Sequence, residues 1–307
     1  MASFPYKVIR GAFSLGEHVA PRLTGRAAFE LFCHTPNPRK QTDGERRAIL
    51  QAQCFMAEAR RHHLTARTGR VMAFDFRPEG GGRPIGTVLV VHGWRSRTEF
   101  MKAIVEGYRE AGYRVISLDL PGHGQSSGRR LNMAIAVDAL RVAGEWFGPF
   151  AAVVGHSFGG AVALNAIAGS VAGMQPLAAE RLVTISTPSS MPALFEDFGK
   201  FLNLGPRSQT AVAAQVERVA GRPLSDYVGA EQLQRLSLPV LVIHSSDDRE
   251  VSADNAREFA TAGPHVRVHW AKGLGHRRIL ADPDIVAEAV RFTLGVKRKS
   301  LAVQSAA

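Results

Sequence analysis

A serine between glycines, in residues 155–159 (GHSFG), is the first feature of this 307-residue sequence whose residue types and spacing could do chemistry. The G-x-S-x-G spacing is typical of a sharp turn from a strand into a helix, in which the serine takes a strained backbone conformation and the glycines allow a close approach. An apolar strand pattern at 151–154 precedes the motif, and small residues at 160–164 follow it as a helix. This context predicts that Ser157 is presented as a nucleophile.

A nucleophilic serine needs a base that takes its proton and an acid that orients the base. Residues 241–249 (LVIHSSDDR) are typical of a strand followed by a loop that carries two carboxylates, Asp247 and Asp248. His276 lies in a glycine-rich stretch between the last predicted strand and the last predicted helix, where the imidazole can turn inward. The histidines show no metal-ligand spacing with Asp, Glu or Cys, so neither a metal nor another cofactor is expected.

The elements that must position these residues alternate between strand and helix from residue 71 onward. The continuous apolar run at 87–91 (TVLVV) is typical of a parallel strand buried on both faces. Further strands are predicted at 71–77 (as the edge strand), 113–119, 151–154, 182–185, 240–243 and 266–270. Helical patterns between them predict an α/β fold with a mostly parallel central sheet and helices on both faces.

Two regions lack this alternation. Residues 189–236 contain helical pieces without a convincing strand, which predicts a helical cap or lid inserted over the strand ends, where ligands bind. Residues 1–70, in which helices are predicted from about 5 to 62, form a predicted N-terminal helical extension. The core of alternating strands and helices is then expected at 71–188 and 237–295, and residues 296–307 are expected to be a basic, disordered tail.

Taken together, these motifs resemble the α/β-hydrolase superfamily, in particular its esterase, lipase and serine-aminopeptidase-like branch, over roughly residues 71–295. Residues 92–94 (HGW) resemble the oxyanion loop that follows the first buried strand in that family, and residues 119–126 (DLPGHGQS) resemble its D-x-P-G-x-G-x-S segment. The order Ser, Asp, His along the chain is the one expected of that fold. The resemblance implies a catalytic triad of Ser157, Asp248 and His276.

Two carboxylates, Asp247 and Asp248, are candidates for the acid of this implied triad. Family sequences usually read H-G-x-x-D at this point, which aligns Asp248 with the catalytic acid. Here Ser245 replaces the glycine, which adds either local strain or a hydroxyl, and Asp247 stays open as an alternative. The resemblance also implies an oxyanion hole formed by the backbone N–H groups of Phe158 and Trp94.

The activity that the resemblance implies is hydrolysis of a carboxylic ester or thioester with a modest apolar acyl chain, through an acyl-enzyme on Ser157. Acyl transfer, perhydrolysis or peptidase activity on the same residues stays open, as does a non-catalytic binding role. A peptidase needs an acid that binds a free amine, and Glu196, Asp197 and Glu217 in the insertion are candidates.

Charge is concentrated near the N-terminus. The formal net charge is +11, and residues 1–70 carry 12 Lys and Arg against 5 Asp and Glu. No basic run exceeds two residues before 297–299, which favours a solvated surface over a nucleic-acid site. We expect the helices of this segment to pack on the edge of the sheet rather than to cover the site or to contact a membrane. The partner is expected to be a small-molecule acyl substrate, and the oligomeric state stays open.

Compartment is predicted from the cysteines and from hydropathy. Cys33 and Cys54 lie in apolar helical patterns, which favours buried thiols in a reducing compartment. No signal-peptide core follows Lys7 and Arg10, and no apolar stretch reaches 18 residues. These patterns predict a cytoplasmic protein.

Overall fold

The computed structural model describes residues 4–37 and 40–295, with side chains from residue 7 onward. A twisted sheet lies at its centre. Its strands are β1 (Arg60–Ala66), β2 (Gly69–Phe76), β3 (Thr87–Val91), β4 (Arg114–Asp119), β5 (Ala152–His156), β6 (Leu182–Ile185), β7 (Val240–Ser245) and β8 (Val266–Ala271). Their order across the sheet is β1-β2-β4-β3-β5-β6-β7-β8, and every pair from β4 to β8 is parallel. The predicted mostly parallel sheet is confirmed.

Helices connect the strands and cover both faces of the sheet, and most of them were predicted. The helices are α1 (Phe4–Val19), α2 (Pro21–Cys33), α3 (Asp43–Gln51), α4 (Gln53–Ala57), α5 (Lys102–Glu110), α6 (Met133–Phe147), α7 (Phe158–Ile167), α8 (Met191–Leu202), α9 (Pro206–Ala220), α10 (Gly229–Gln234), α11 (Asp254–Ala260), α12 (Gly275–Arg278) and α13 (Pro283–Thr293). Short 3₁₀ turns lie at Glu79–Gly81, Thr98–Met101, Leu224–Asp226 and Ile279–Ala281. The predicted tail at 296–307 lies outside the described residues.

The continuous apolar run in β3 is explained by burial on both faces. Val88 and Val90 belong to one hydrophobic cluster, which also contains residues of α5 and α13. Leu89 and Val91 point the other way, into a cluster that includes α6 and α7. Because successive side chains of a strand point to opposite faces, a strand between two layers of helices must be apolar throughout.

The sheet begins earlier than the sequence pattern predicts. Arg60–Ala66 forms β1, where helix is expected up to residue 62, and pairs antiparallel with β2 from Arg60↔Asp75 to Ala66↔Gly69. β2 is therefore not the edge strand, because it lies between β1 and β4. Only Leu64 and Ala66 are buried in β1. A strand that starts with Arg60 and Arg61 and buries so little lacks the apolar alternation by which strands are recognised.

Helices α1 and α2 pack on the insertion and not on the edge of the sheet, so the expectation was wrong for these two, whereas Phe55 of α4 stacks on Phe76 of β2. α1 contacts α2 and α8, and α2 contacts α9. The Phe195 ring of α8 lies 6.2 Å from Phe29 and 4.4 Å from Phe32, both in α2 (centroid distances). The insertion supplies no strand of its own, so its apolar helix faces are buried against the apolar face of α2.

The two cysteines differ from each other in burial. Cys33 is buried, and burial raises the pKa of its thiol to about 12. Cys54 is exposed, contrary to the expectation, because α4 turns Phe55 and Met56 inward instead. Among the described residues, no helix combines the length and the apolar character that crossing a membrane requires.

The buried carboxylate of Glu17 links α1 to the insertion, and its substitution tests this packing. Glu17 of α1 accepts hydrogen bonds from the backbone N–H groups of Arg207 (3.0 Å) and Ser208 (2.9 Å), in the first turn of α9. Because these N–H groups lose their acceptor, Glu17→Ala is expected to lower the free energy of unfolding by about 1–2 kcal/mol in urea titrations. The exposed Glu217→Ala in α9 is the matched control; an equal loss in both variants would contradict the capping role.

Candidate active site

Ser157 occupies the junction between β5 and α7. Its backbone has φ 52° and ψ −126°, a region that residues with a side chain rarely adopt. The Ser157 N–H donates a 2.8 Å hydrogen bond to the Ile185 carbonyl at the end of β6. The predicted strand–turn–helix is therefore present, and it places the half-buried Ser157 at the carboxyl end of the sheet.

Close backbone packing holds this turn against the loop that follows β3. A methyl group on Gly159 would lie 2.3 Å from the His92 carbonyl oxygen, so a side chain there cannot be accommodated without a backbone shift. A methyl group on Gly93 would lie 2.9 Å from Ser157 Cβ. The start of α7 and the HGW loop are consequently in direct contact, as an oxyanion site requires.

His276 and Asp248 meet on the same side of the sheet. His276 Nδ1 lies 2.8 Å from Asp248 Oδ2, and the Asp248 side chain is fully buried. Asp248 Oδ1 also accepts hydrogen bonds from the N–H groups of Glu250 (2.9 Å) and Val251 (3.0 Å). Burial alone would raise the pKa of Asp248, but the hydrogen bonds from His276, Val251 and Glu250 outweigh it and hold that pKa well below its usual range.

An ionised Asp248 fixes the tautomer of the imidazole. A carboxylate only accepts hydrogen bonds, so Nδ1 of His276 must carry the proton and Nε2 is left as the basic nitrogen. His276 lines a cleft that Ser157 also lines. Among the described residues, the hydrogen bonds of His276 are to Asp248 and His156, and none joins it to the Ser157 hydroxyl.

Asp247 is arranged differently from Asp248. It is exposed, and its Oδ1 accepts hydrogen bonds from Ser245 Oγ (2.5 Å) and from the Gly275 N–H (3.4 Å). Ser245 Oγ accepts from the same Gly275 N–H at 3.1 Å. For Ser245, either local strain or a hydroxyl contact was expected, and the structure contains the hydroxyl contact. Ser245 is the last residue of strand β7, and its hydroxyl links Asp247 to Gly275, the residue preceding His276.

His156, inside the serine motif, contacts the backbone of His276. Its Nε2 lies 2.9 Å from the His276 carbonyl oxygen, and the two rings are 4.8 Å apart. Burial, together with the proximity of His276, lowers the pKa of His156 to about 3, so this imidazole is neutral and its Nε2–H donates to the carbonyl. Sequence reasoning did not identify this contact, because the two residues lie 120 positions apart in the chain.

A buried histidine fixes the peptide that precedes Trp94. His92 Nδ1 lies 2.7 Å from the Gly93 carbonyl oxygen, and His92 Nε2 accepts from the Leu120 N–H at 2.9 Å. Burial lowers the pKa of His92 to about 4, so Nδ1 is the donor of a neutral ring. The carbonyl and N–H of a trans peptide point in opposite directions, so the Gly93–Trp94 peptide turns the Trp94 N–H away from His92.

The DLPGHGQS segment stabilises the next residue of this loop. His123 Nε2 accepts from the Arg95 N–H at 3.1 Å, and its Nδ1 lies 3.1 Å from the Pro121 carbonyl oxygen. Arg95 has a positive φ of 55°, which a non-glycine residue keeps only when neighbours hold it. Asp119 anchors the segment by accepting from the N–H groups of Thr98 and Gln125.

Both residues expected to form the oxyanion hole lie at this junction. The Trp94 ring stands perpendicular to the Phe158 ring, with centroids 5.6 Å apart. Phe158 is the first residue of α7, where backbone N–H groups have no intrahelical acceptor. Among the described residues, neither the Phe158 N–H nor the Trp94 N–H donates to a protein acceptor.

The cleft beside Ser157 and His276 has a volume of about 680 Å³. One wall comes from α3 of the N-terminal segment, which the sequence did not place at the site. α3 begins at a capping box, in which the Glu45 N–H donates to Thr42 Oγ1 and the Glu45 side chain accepts from the Thr42 N–H. The residues that line the whole cleft are Thr42, Gly44, Glu45, Ala48, Trp94, Arg95, Ser96, Phe100, His156, Ser157, Glu250, His276, Arg277 and Leu280.

The acidic residues considered for binding a free amine lie elsewhere. Glu196, Asp197 and Glu217 are exposed and do not line the cleft. Glu196 and Asp197 pair with Lys200 at 2.7 and 3.5 Å. Within the part of the chain that the structure describes, no group of three or more His, Cys, Asp or Glu is arranged to bind a metal ion.

Two sequence comparisons, with protein-family models and with curated proteins, found similar proteins. Residues 88 to 289, more than half of the chain, match the model of the alpha/beta hydrolase family. A curated relative, the dihydrolipoyllysine-residue acetyltransferase component of an acetoin cleaving system from Cupriavidus necator, is 41% identical over 88 residues. That match covers 28% of this chain and 23% of the relative, so the chain spans about a quarter of that protein's length.

Solved structures share the fold at low sequence identity. Est1E from Butyrivibrio proteoclasticus, with ferulic acid bound, has a TM-score of 0.63 at 16% identity and covers 76% of this chain and 98% of its own. Naproxen esterase from Bacillus subtilis has a TM-score of 0.57 at 15% identity and covers 83% and 99%. With the family model, the strand order and the serine turn in agreement, this chain belongs to the α/β-hydrolase family.

Proposed function

We propose that this protein is a serine hydrolase that cleaves a carboxylic ester or thioester through an acyl-enzyme on Ser157. One observation carries the proposal: the 2.8 Å contact between His276 Nδ1 and a buried, ionised Asp248, on the rim of the cleft that Ser157 lines. This arrangement leaves His276 Nε2 as a base beside a serine in a strained turn.

Acylation follows from the positions of these groups. Ser157 Oγ attacks the substrate carbonyl carbon while its proton passes to His276 Nε2. Asp248 keeps Nδ1 protonated and stabilises the imidazolium that forms. The imidazolium then gives the proton to the departing alcohol or thiol. A water molecule that loses a proton to His276 attacks the acyl carbon and releases the acid and free Ser157.

The negative charge on the carbonyl oxygen is assigned to two backbone donors, the N–H groups of Phe158 and Trp94. Each such donor is typically worth about 3 kcal/mol in the transition state. The free Phe158 N–H at the start of α7 and the orientation that His92 imposes on the Trp94 peptide support this assignment. Because α7 ends in partial positive charge here, its N-terminus adds to the stabilisation.

The substrate is proposed to be a small acyl compound with a modest apolar acyl chain. Trp94, Phe100 and Leu280 supply apolar surface in the cleft, while Arg95 and Arg277 lie among the charged lining residues. A series of p-nitrophenyl esters of increasing chain length measures the preferred length; kcat/KM is expected to pass through a maximum at short to medium chains.

Acyl transfer is the second candidate, because the curated relative is named as an acetyltransferase. The same acyl-enzyme would then be attacked by a thiol, an alcohol or, for perhydrolysis, hydrogen peroxide in place of water. Product analysis by mass spectrometry with each acceptor added separates the cases. Acid as the dominant product supports hydrolysis, whereas a dominant thioester, ester or peracid product supports transfer.

The role of Ser157 is tested by Ser157→Ala. Loss of the nucleophile is expected to lower kcat for a p-nitrophenyl ester by about 10⁴ to 10⁶. Ser96→Ala, at a second serine of the same cleft, is the matched control and should keep kcat within a few-fold. Full esterase activity in Ser157→Ala would rule out this serine as the nucleophile.

The identity of the acid is tested by comparing Asp248→Asn with Asp247→Asn. An amide at 248 no longer selects the Nδ1–H tautomer, so kcat is expected to fall by about 10⁴. Asp247 accepts hydrogen bonds from Ser245 and from the Gly275 N–H but not from His276, so its amide variant should lose less than tenfold in kcat, equivalent to about 1.4 kcal/mol. The reverse ranking in steady-state kinetics would assign the acid to Asp247.

The orientation of the Trp94 peptide is tested by His92→Ala. Removing the Nδ1–H donor frees the Gly93 carbonyl, so the oxyanion donor at Trp94 is lost in part and kcat is expected to fall by about 10²-fold. KM should change little, because the oxyanion exists only after attack. Circular dichroism reports folding of the variant. A folded His92→Ala with unchanged kcat would contradict this role.

A further inference from the structure

The outward face of α1 is apolar. Val8, Leu15 and Val19 recur at helical spacing on one face and are 55%, 66% and 76% exposed, and Ala12 between them is also exposed. The opposite face packs inward through Phe13 and the buried Glu17. A helix on a protein surface normally turns its polar residues outward, so this arrangement is inverted.

The next helix continues the apolar surface. In α2, Leu23 is 68% exposed and Leu31 is 45% exposed, with the exposed Ala27 between them at the same spacing. Phe29 on the inner side is buried against the insertion. α1 and α2 follow one another in the chain and contact each other. We call the exposed apolar residues of these two helices the apolar stripe.

Basic residues flank this stripe. Lys7, Arg22 and Arg26 are exposed on the same two helices. The two acidic residues among their described side chains are both engaged: Glu17 caps α9, and Glu30 pairs with Arg130 at 2.6 Å.

A groove of about 770 Å³ beside α2 adds to this positive charge. Its arginines are Arg26, Arg67, Arg129, Arg130 and Arg218. Its two carboxylates are already paired, Glu30 with Arg130 and the buried Asp138 with Arg67 and Arg141. Among the described residues, Arg26, Arg129 and Arg218 have no carboxylate partner, so the groove carries a net positive charge.

We propose that the stripe of α1 and α2, with the arginine groove beside it, docks on an anionic lipid surface. An apolar face flanked by basic residues inserts into the boundary between headgroups and acyl chains, while the arginines meet phosphate headgroups. A second copy of the chain is disfavoured as the occupant, because a two-fold contact would bring the same positive residues together. A soluble polyanion would leave the apolar stripe in water.

This docking goes beyond the proposed hydrolase activity and does not depend on it. The helices involved cover α8 and α9 of the insertion, whereas Ser157 and His276 lie in the cleft lined by α3. The variant Ser157→Ala is therefore expected to bind lipid as the wild type does, so failure of the activity proposal and failure of the docking proposal are distinguishable.

The test is co-sedimentation of the full-length protein with vesicles of phosphatidylcholine alone and of phosphatidylcholine with 30% phosphatidylglycerol. Binding is expected only to the anionic vesicles and is expected to weaken as salt is raised. Leu15→Ser with Val19→Ser should lower the partition coefficient at least about tenfold, because the inserted apolar area is lost. Ile85→Ser with Trp146→Ser, exposed apolar residues elsewhere, is the matched control and should bind as the wild type.

The groove is tested separately by Arg26→Gln, Arg129→Gln and Arg218→Gln combined. The partition coefficient on anionic vesicles is expected to fall by about fivefold per arginine. The control set Arg60→Gln, Arg83→Gln and Arg235→Gln removes the same charge elsewhere on the surface and should lower it much less. Equal binding to neutral and anionic vesicles, or no binding to either, would overturn the proposal. So would complete displacement by soluble glycerophosphate, which indicates a small-anion site, or a dimer in sedimentation equilibrium that Leu15→Ser and Val19→Ser dissociate.

Discussion

The backbone of Ser157 turns from β5 into α7 with φ 52° and ψ −126°, and the candidate site is built around this turn. A non-glycine residue in such a conformation costs about 1–3 kcal/mol and persists only where its surroundings hold it. Here the hydrogen bond to Ile185 and the backbone contact between Gly159 and His92 do so. The same contact brings the HGW loop to the start of α7, so the strained turn and the proposed oxyanion donors belong to one packed unit.

Three buried histidines form hydrogen bonds with the backbone around this turn. His92 and His123 fix two successive peptides of the HGW loop, and His156 holds the backbone of His276. Burial lowers the pKa of each, to about 4, 3 and 3 respectively, so each ring stays neutral with one donor and one acceptor nitrogen. His276 differs from these three histidines, because it lies 2.8 Å from the buried Asp248 and lines the cleft that Ser157 lines, which suits it to act as the base.

The local sequence pattern predicted most of the fold, because strands that are buried on both faces consist of consecutive apolar residues. β3 is apolar throughout since helices cover both of its faces, and the GHSFG turn follows a strand of the same kind. β1 escaped prediction because an edge strand beginning with Arg60 and Arg61 has almost no apolar alternation. The packing of α1 and α2 on the insertion escaped it too, since helix amphipathicity does not specify the partner face.

The residues of the candidate site could be predicted where a motif or the order along the chain identifies them. They could not be predicted where contacts between residues distant in the chain determine their positions. Ser157 and His276 follow from motif and position, whereas Asp247 and Asp248 are equivalent in composition and differ only in how the loop after β7 turns. The link from Ser245 to Gly275 and the wall formed by α3 join residues far apart in the chain, for which no local signal exists.

The proposed reaction requires Ser157 to be an activated nucleophile, and covalent labelling measures this most directly. The folded protein is treated with a fluorophosphonate, and the modified residue is located by peptide mass spectrometry. We predict a single phosphonyl adduct on Ser157, formed in the native protein and abolished by prior denaturation, because only the folded chain brings His276 and the oxyanion donors to this serine. A native protein that is not labelled, or that is labelled at another residue, would contradict the account.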